Sequence, residues 1–211
     1  MKLLVVGASQ GVGALTVRAG LDGGHEVTAF ARSPQKLSID HPSLTRIVGN
    51  FHDAASVDAA VPGHDAIIVT ASASTLKGFK DDPTFFSRGT SLVVDAMQRH
   101  RVRRLVVLSA LGTGDTRVLF NFILRGLLLD LVLKRPYEDH ERQEALVRSC
   151  GLDWVIARPS KLTSGAGRKR YKKTTRVEAV PSSISRADVA DFLVEACVSD
   201  AWVGHSVLLG G

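Results

Sequence analysis

Cysteine is scarce: Cys150 and Cys197 are the only two in 211 residues. They lie far apart in stretches that read as helical, and they form neither a metal-ligand nor a redox spacing. Buried reduced thiols are expected, and no metal site. An uninterrupted apolar run of membrane length is also missing. The apolar stretch 118–133 is shorter than a span and is broken by Asn121, Arg125, Gly126 and Asp130. It reads as a core or homodimer-interface helix, or as an apolar lid over a substrate pocket, with a membrane-surface helix as a third reading. No signal peptide is visible, since Met1-Lys2 leads straight into an apolar strand, and a cytoplasmic protein is expected. There is no internal repeat beyond an alternating βα rhythm. No helix-turn-helix, zinc or RNA-binding signature accompanies the net charge of +6, so nucleic acid is not expected as a partner. Much of the positive excess sits in residues 168–176. That run reads as a solvated, mobile loop, or as a surface that attracts an anionic substrate.

A hydrophobic content of 45% with mixed charge over 211 residues describes a soluble globular chain, expected as a single domain over residues 1–211. Its organising stretch is the first thirty-two residues. Leu3-Leu4-Val5-Val6 is a short apolar run ending in two β-branched residues. Gly7-Ala8-Ser9-Gln10-Gly11-Val12-Gly13 follows, then a helix over 14–21, then a second strand, His25-Glu26-Val27-Thr28-Ala29-Phe30. This is strand, glycine turn, helix, strand, with a phosphate-binding turn in place. Gly7 lets the chain leave the strand tightly. Gly11 lets the backbone approach a pyrophosphate, and Gly13 lets the helix pack closely on the sheet. Free N–H groups at the helix start, with Ser9, Gln10 and Val12 beside them, face the phosphates. The tip of the second strand, Phe30-Ala31-Arg32-Ser33, carries no acid to hold a ribose 2′-hydroxyl. Arg32, with Ser33 and Lys36 nearby, could instead grip a 2′-phosphate. NADP(H) is therefore expected over NAD(H).

The rest of the chain alternates strands and helices. A third strand over 45–49 leads into Asn50-Phe51-His52-Asp53, in the position where such folds contact adenine. Asp53 caps a helix over 54–61 that Pro62-Gly63 stops. A fourth strand over 65–69 ends in Thr70, Ala71 and Ser72, and a polar loop covers 73–82. The helix over 85–99 turns Leu92, Val93, Ala96 and Met97 to the sheet. A fifth strand over 103–108 ends in Ser109. Pro136 ends the apolar stretch, and Asp139 opens a helix to Cys150 with Gly151 as its C-terminal cap. A sixth strand over 154–158 ends in Pro159 and Ser160. Ser185 and Asp188 form a capping box, and residues 206–209 make a last strand. The expected fold class is α/β, a Rossmann-type doubly wound and mainly parallel sheet. The substrate pocket is expected in the loops after strands 4, 5 and 6, where ligands bind in open α/β sheets.

These motifs resemble the short-chain dehydrogenase/reductase superfamily in its atypical branch. The likeness is to the NAD(P)H-binding group that contains biliverdin-IXβ reductase/flavin reductase and NmrA-like proteins. It covers essentially the full length and is carried by the glycine turn 7–13, Phe30-Ala31-Arg32, Asp65-Ala66-Ile67-Ile68-Val69, Val107-Leu108-Ser109-Ala110, Asp139-His140-Glu141, residues 149–154 with Arg158-Pro159, and residues 185–190. The resemblance implies an NADPH-dependent reductase of flavin-like, tetrapyrrole or other conjugated acceptors. Ser109 matches a serine that resembles an active-site residue there. The sequence also departs from its relatives. The Tyr-x-x-x-Lys pair of the tyrosine-dependent dehydrogenases is missing: Tyr137 is followed four residues later by Glu141, and Tyr171 by Thr175. Alcohol–ketone chemistry of the kind that needs a phenol acidified by a nearby lysine is therefore not expected. Lys161 stands where the biliverdin and flavin reductases carry histidine.

What remains is a bound nicotinamide, a stacked acceptor and a proton source. Ser109 could hold the nicotinamide amide or the acceptor, and His140 could relay a proton or be structural. Lys161 and the basic loop could hold a propionate or phosphate, while Arg158 is read as an anchor beneath the pocket. One rival reading is a non-catalytic NADP(H)-binding redox sensor of NmrA type. Another is a sugar-nucleotide epimerase or dehydratase, against which the missing Tyr-x-x-x-Lys pair and the short C-terminal region both count.

Overall fold

A computed structural model describes residues 1–71, 82–120 and 133–211. In chain order they form β1 (Lys2–Val6), α1 (Gly11–Asp22), β2 (Glu26–Ala31), β3 (Leu44–Val48), α2 (Ala54–Ala60), β4 (Ala66–Val69), α3 (Phe85–His100), β5 (Arg104–Leu108) and α4 (Lys134–Ser149). Then come β6 (Asp153–Pro159), β7 (Lys161–Thr163), β8 (Lys172–Thr174), β9 (Ser183–Ser185), α5 (Arg186–Val198) and β10 (His205–Gly210).

The central strands are apolar through their interiors. Leu3 to Val6, Ala66 to Val69 and Leu105 to Val107 are all buried, as strands covered on both faces must be. They sit in one sheet ordered β3-β2-β1-β4-β5-β6-β10-β8. Every pairing is parallel except that of β10 with β8. The run from β3 to β6 has the doubly wound order, which reverses direction between β1 and β4 and leaves a crevice at the carboxyl ends there. Side chains alternate across the sheet. Leu3, Val5, Ile68 and Val106 pack with Val17 of α1 and Phe192 of α5. Leu4, Val6, Ile67 and Val107 pack with Val57 of α2, Val93 of α3 and Val147 of α4. No helix among the described residues is long and apolar enough to cross a membrane.

Three local expectations change. Helix α4 begins at Lys134, not at Asp139. Pro136 therefore lies inside its first turn, where a missing N–H costs no intrahelical bond, and it does not break the helix. The basic stretch 168–176 is not all loop: β8 adds an antiparallel edge strand, with Thr174 buried against the protein and Lys172 exposed. Residues 161–163 and 183–185 form a separate parallel pair, β7 with β9. Of the apolar stretch 118–133, residues 118 and 119 close a 3-10 turn, Gly114–Leu119. Residues 121–132, and with them the lid or interface reading, lie outside the described residues, as do residues 73–81 of the loop predicted over 73–82.

Candidate active site

The site starts at the glycine turn. Gly7 leaves β1 with φ of +90°, a conformation that L side chains rarely adopt. A Cβ there would lie 2.5 Å from the Ala71 Cα, so two strand tips meet without a side chain between them. Gly11 opens α1 with φ of +58°, and a Cβ on it would meet nothing within 4 Å. That side of the turn is open for a ligand. Gly13 is the reverse case: a Cβ would lie 2.2 Å from the Gly7 carbonyl oxygen and 2.7 Å from Thr70 Oγ1. The N-cap residue Gln10 makes no side-chain capping bond, and no acid stands in the first turn. The first N–H groups of α1 thus point their partial positive charge into the crevice, as a pyrophosphate requires.

A cavity of about 630 Å³ opens from this turn. Of the predicted cofactor residues, Gly7, Ser9, Gln10, Arg32, Ser33, Lys36, Asn50, Phe51 and Ala71 line it. Arg32 is exposed at the tip of β2, and among the described residues no carboxylate pairs with it. Ser33 precedes a short 3-10 turn but makes no side-chain cap. The Asn50 side chain accepts from the His52 N–H at 3.1 Å, which shapes the turn after β3. The Phe51 ring lies flat against α3: a Cβ on Gly89 would come within 2.1 Å of it. Ser72 is outside the described residues.

Other predicted cofactor residues lie off this wall. Val12 and Gly13 are buried under the turn. The Thr70 hydroxyl donates to the Val6 carbonyl at 3.0 Å, and its side chain faces α1. Alternation along β4 explains this, since Val69 and Ala71 take the opposite face.

A second cluster occupies the tips of β5 and β6. The Ser109 hydroxyl donates to Glu144 Oε1 at 2.7 Å. Glu144, from α4, also accepts from Arg158 at 2.9 and 2.5 Å and from Arg148 at 2.8 Å. Arg158 further reaches Asp115 at 2.6 Å. Burial works against the Arg158 charge, and the two carboxylates outweigh it and hold the guanidinium above its ordinary value. Ser109, Glu144 and Arg158 are all buried. Pro159 pairs with Leu209 of β10, and Ser160, one residue on, buries a hydroxyl with no hydrogen-bond partner among the described residues.

A family model described as NAD(P)H-binding matches residues 7–200. The chain belongs to this NAD(P)H-binding family. The UPF0659 protein YMR090W of Saccharomyces cerevisiae (strain ATCC 204508 / S288c) is 30% identical over 208 residues, 93% of this chain and 86% of its own. A 3-beta-hydroxysteroid dehydrogenase of Mycolicibacterium neoaurum is 43% identical over 77 residues, 36% of this chain and 21% of its own. Among solved structures, ChuY, an anaerobillin reductase of Escherichia coli O157:H7, superposes with a TM-score of 0.81 at 22% identity, covering 100% of this chain and 97% of its own. A short-chain dehydrogenase/reductase of Veillonella parvula DSM 2008, in complex with NADP, gives 0.80 at 17% identity, covering 100% and 94%. The fold is therefore the Rossmann-type, mainly parallel α/β sheet expected.

Within this NAD(P)H-binding architecture, α4 carries Tyr137, His140 and Glu141, and each is engaged. The Tyr137 hydroxyl donates to the Leu111 carbonyl at 3.0 Å, and burial pushes its pKa up. Glu141 accepts from the Gly114 N–H at 3.2 Å. His140 is buried, stacks on Phe86 with ring centroids 3.9 Å apart, and holds Gln143 Oε1 at 3.0 Å from Nδ1. Burial lowers its pKa, against the opposing pull of Gln143, Glu144 and Asp139. The ring is neutral at physiological pH. In the basic stretch, Lys172 pairs with Glu178 and Lys173 with Glu195.

On the far wall of the cavity, sequence reasoning reached His52, in the segment after β3, but missed Asp82 and Phe85. His52, Asp82 and Phe85 line it together. The His52 ring nitrogens lie 2.9 Å from the Phe85 carbonyl oxygen and 3.1 Å from the Asp82 carboxylate. Nothing local in the sequence joins positions thirty residues apart. His52 was legible because it follows Asn50 and Phe51 directly.

Proposed function

We propose that the chain is an NADPH-dependent reductase that delivers hydride to a flavin-like, linear tetrapyrrole or other conjugated acceptor. When bound, the dinucleotide supplies the hydride, and the acceptor completes its reduction with a proton. The chain's part is to bind, orient and exclude water. The glycine turn and the α1 N-terminus take the pyrophosphate. Arg32, with Ser33 and Lys36, takes the 2′-phosphate through several directed donors. Asn50 and Phe51 border the adenine. Ser109 and Ser160 meet the nicotinamide end, and the acceptor sits among the loops that follow β4, β5 and β6.

The observation that carries this reading is Tyr137. Its hydroxyl is committed to a backbone carbonyl, burial disfavours its ionised form, and the residue four positions on is Glu141. A carbonyl reduction driven by a lysine-acidified phenol has no residues here, whereas a conjugated acceptor asks only for alignment with the hydride donor. The absence of an acid at the tip of β2, beside an Arg32 that is unpaired among the described residues, supports NADPH over NADH.

The test is NADPH oxidation followed by absorbance with FMN, FAD, biliverdin and several quinones, with NADH as control. Turnover of one acceptor with NADPH preferred is the expected result. Tight NADPH binding with no turnover of any acceptor would replace the reductase by a redox sensor.

A further inference from the structure

We infer that Glu144 and Arg158 are positioning residues that hold the Ser109 hydroxyl proton and leave Ser109 to act as a hydrogen-bond acceptor toward the nicotinamide carboxamide. This rests on the cofactor reading above and adds the direction of one hydrogen bond to it.

The argument is one of donors and acceptors. A serine hydroxyl has a single proton and rotates to suit its partner. At Ser109 that proton is committed to Glu144 Oε1 at 2.7 Å. Glu144 is gripped from the other side by Arg158, through Nε at 2.9 Å and Nη2 at 2.5 Å, and by Arg148 at 2.8 Å. Arg158 and Arg148 can only donate, so Glu144 is the acceptor in both contacts, and its Oε1 is the acceptor toward Ser109 as well. It cannot hand a proton back, so the O–H direction is fixed. Ser109 keeps its lone pairs, is buried, and has no second partner among the described residues. A ligand group that meets it must therefore bring a donor. A carbonyl oxygen placed there would set lone pair against lone pair, whereas a primary amide N–H completes the chain.

The sheet places this acceptor correctly along the crevice. Arg32 ends β2, Gly7 ends β1, Ala71 follows β4 and Ser109 follows β5, and these four strands are neighbours in that order. Val69 pairs with Val107, and Ala71 and Ser109 each follow two residues later at the tips of these neighbouring strands. The phosphate-reading arginine and Ser109 thus stand at opposite ends of the same row of strand tips, about 14 Å apart at ordinary strand spacing.

The experiment is calorimetric binding of three nucleotides: NADP, its 3-acetylpyridine analogue, in which a methyl replaces the amide nitrogen, and 2′-phospho-ADP-ribose, which lacks the ring altogether. Wild type should prefer NADP to the acetylpyridine analogue about tenfold, the effect of one hydrogen bond. Ser109→Ala should abolish that preference and leave 2′-phospho-ADP-ribose binding unchanged. It keeps the Glu144–Arg158 pair intact, so folding is not at stake. Glu144→Gln, whose amide can donate to Ser109 and free its proton, should also lower the preference. Retention of the full preference in Ser109→Ala, or an equal fall for all three nucleotides, overturns the inference. Failure of wild type to bind any of the three would instead defeat the cofactor reading itself.

Discussion

Asp139 closes the N-terminus of a helix that is not its own. From α4 its carboxylate accepts the Phe86 N–H of α3 at 2.6 Å, and the Ser87 hydroxyl at 2.5 Å. The two helices are tied by a fully buried acid that satisfies donors the first turn of α3 would otherwise leave unpaired. Asp139→Ala should cost about 2 kcal/mol of stability, at the upper end for a helix cap. Asp139→Asn keeps an acceptor and should cost less. Urea unfolding midpoints check both. Because Phe85 lines the cavity beside this cap, NADPH affinity should fall with the Ala variant as well.

On the proposed cofactor reading, Arg32 selects the ribose substituent. Arg32→Glu would place at the tip of β2 the kind of residue that holds a 2′-hydroxyl and repels a 2′-phosphate. The ratio of Kd values for NADH and NADPH should move toward NADH by about ten- to a hundredfold, the range of one or two charge-assisted hydrogen bonds. An unchanged ratio would remove Arg32 from cofactor selection.

Two glycines of one turn should respond oppositely. Gly13→Ala forces a methyl to within 2.2 Å of the Gly7 carbonyl, so it should destabilise the fold by about 1–3 kcal/mol, as overpacking does. Gly11→Ala meets no protein atom within 4 Å but asks an alanine to hold φ of +58°. It should cost about 1 kcal/mol in stability and considerably more in dinucleotide affinity, since the methyl enters the open side of the turn. Thermal unfolding with and without NADPH separates the two effects.

His140 should make the protein acid-sensitive. Its pKa is held below the ordinary value of 6.5 by burial. The unfolded chain therefore takes up a proton at a higher pH than the folded one does. This contribution is fully present above about pH 6.5 and is lost as pH falls toward the folded value. Wild type should lose stability between pH 7.5 and 5.5, and His140→Leu should lose less over the same interval. Denaturation midpoints at the two pH values decide it.

The glycine turn, the succession of central strands and the cofactor class were legible because each rests on local pattern: three glycines at fixed spacing, apolar tetrads, and a strand tip without an acid. The polar machinery was less so. Thr70 was expected on the site, yet period-two alternation along β4 turns it to α1. Pro136 reads as a stop when its distance from the helix start is unknown, and as a first-turn residue once that start is Lys134. Asp139 looks like the cap of its own helix, because sequence carries no sign that α3 lies within reach. Ser109 was singled out at the tip of β5, but its partner Glu144 is thirty-five residues away and came with no spacing rule to link them.

The contact between Phe51 and Gly89 makes two distant positions into one variable. The aromatic ring fills the space where any larger residue at 89 would stand. Relatives that enlarge position 89 must trim or reorient position 51, and a helix surface thereby dictates the breadth of the slot offered to a flat ring. Divergence in nucleotide affinity across the family can then arise from a methyl group on α3 that never touches the nucleotide.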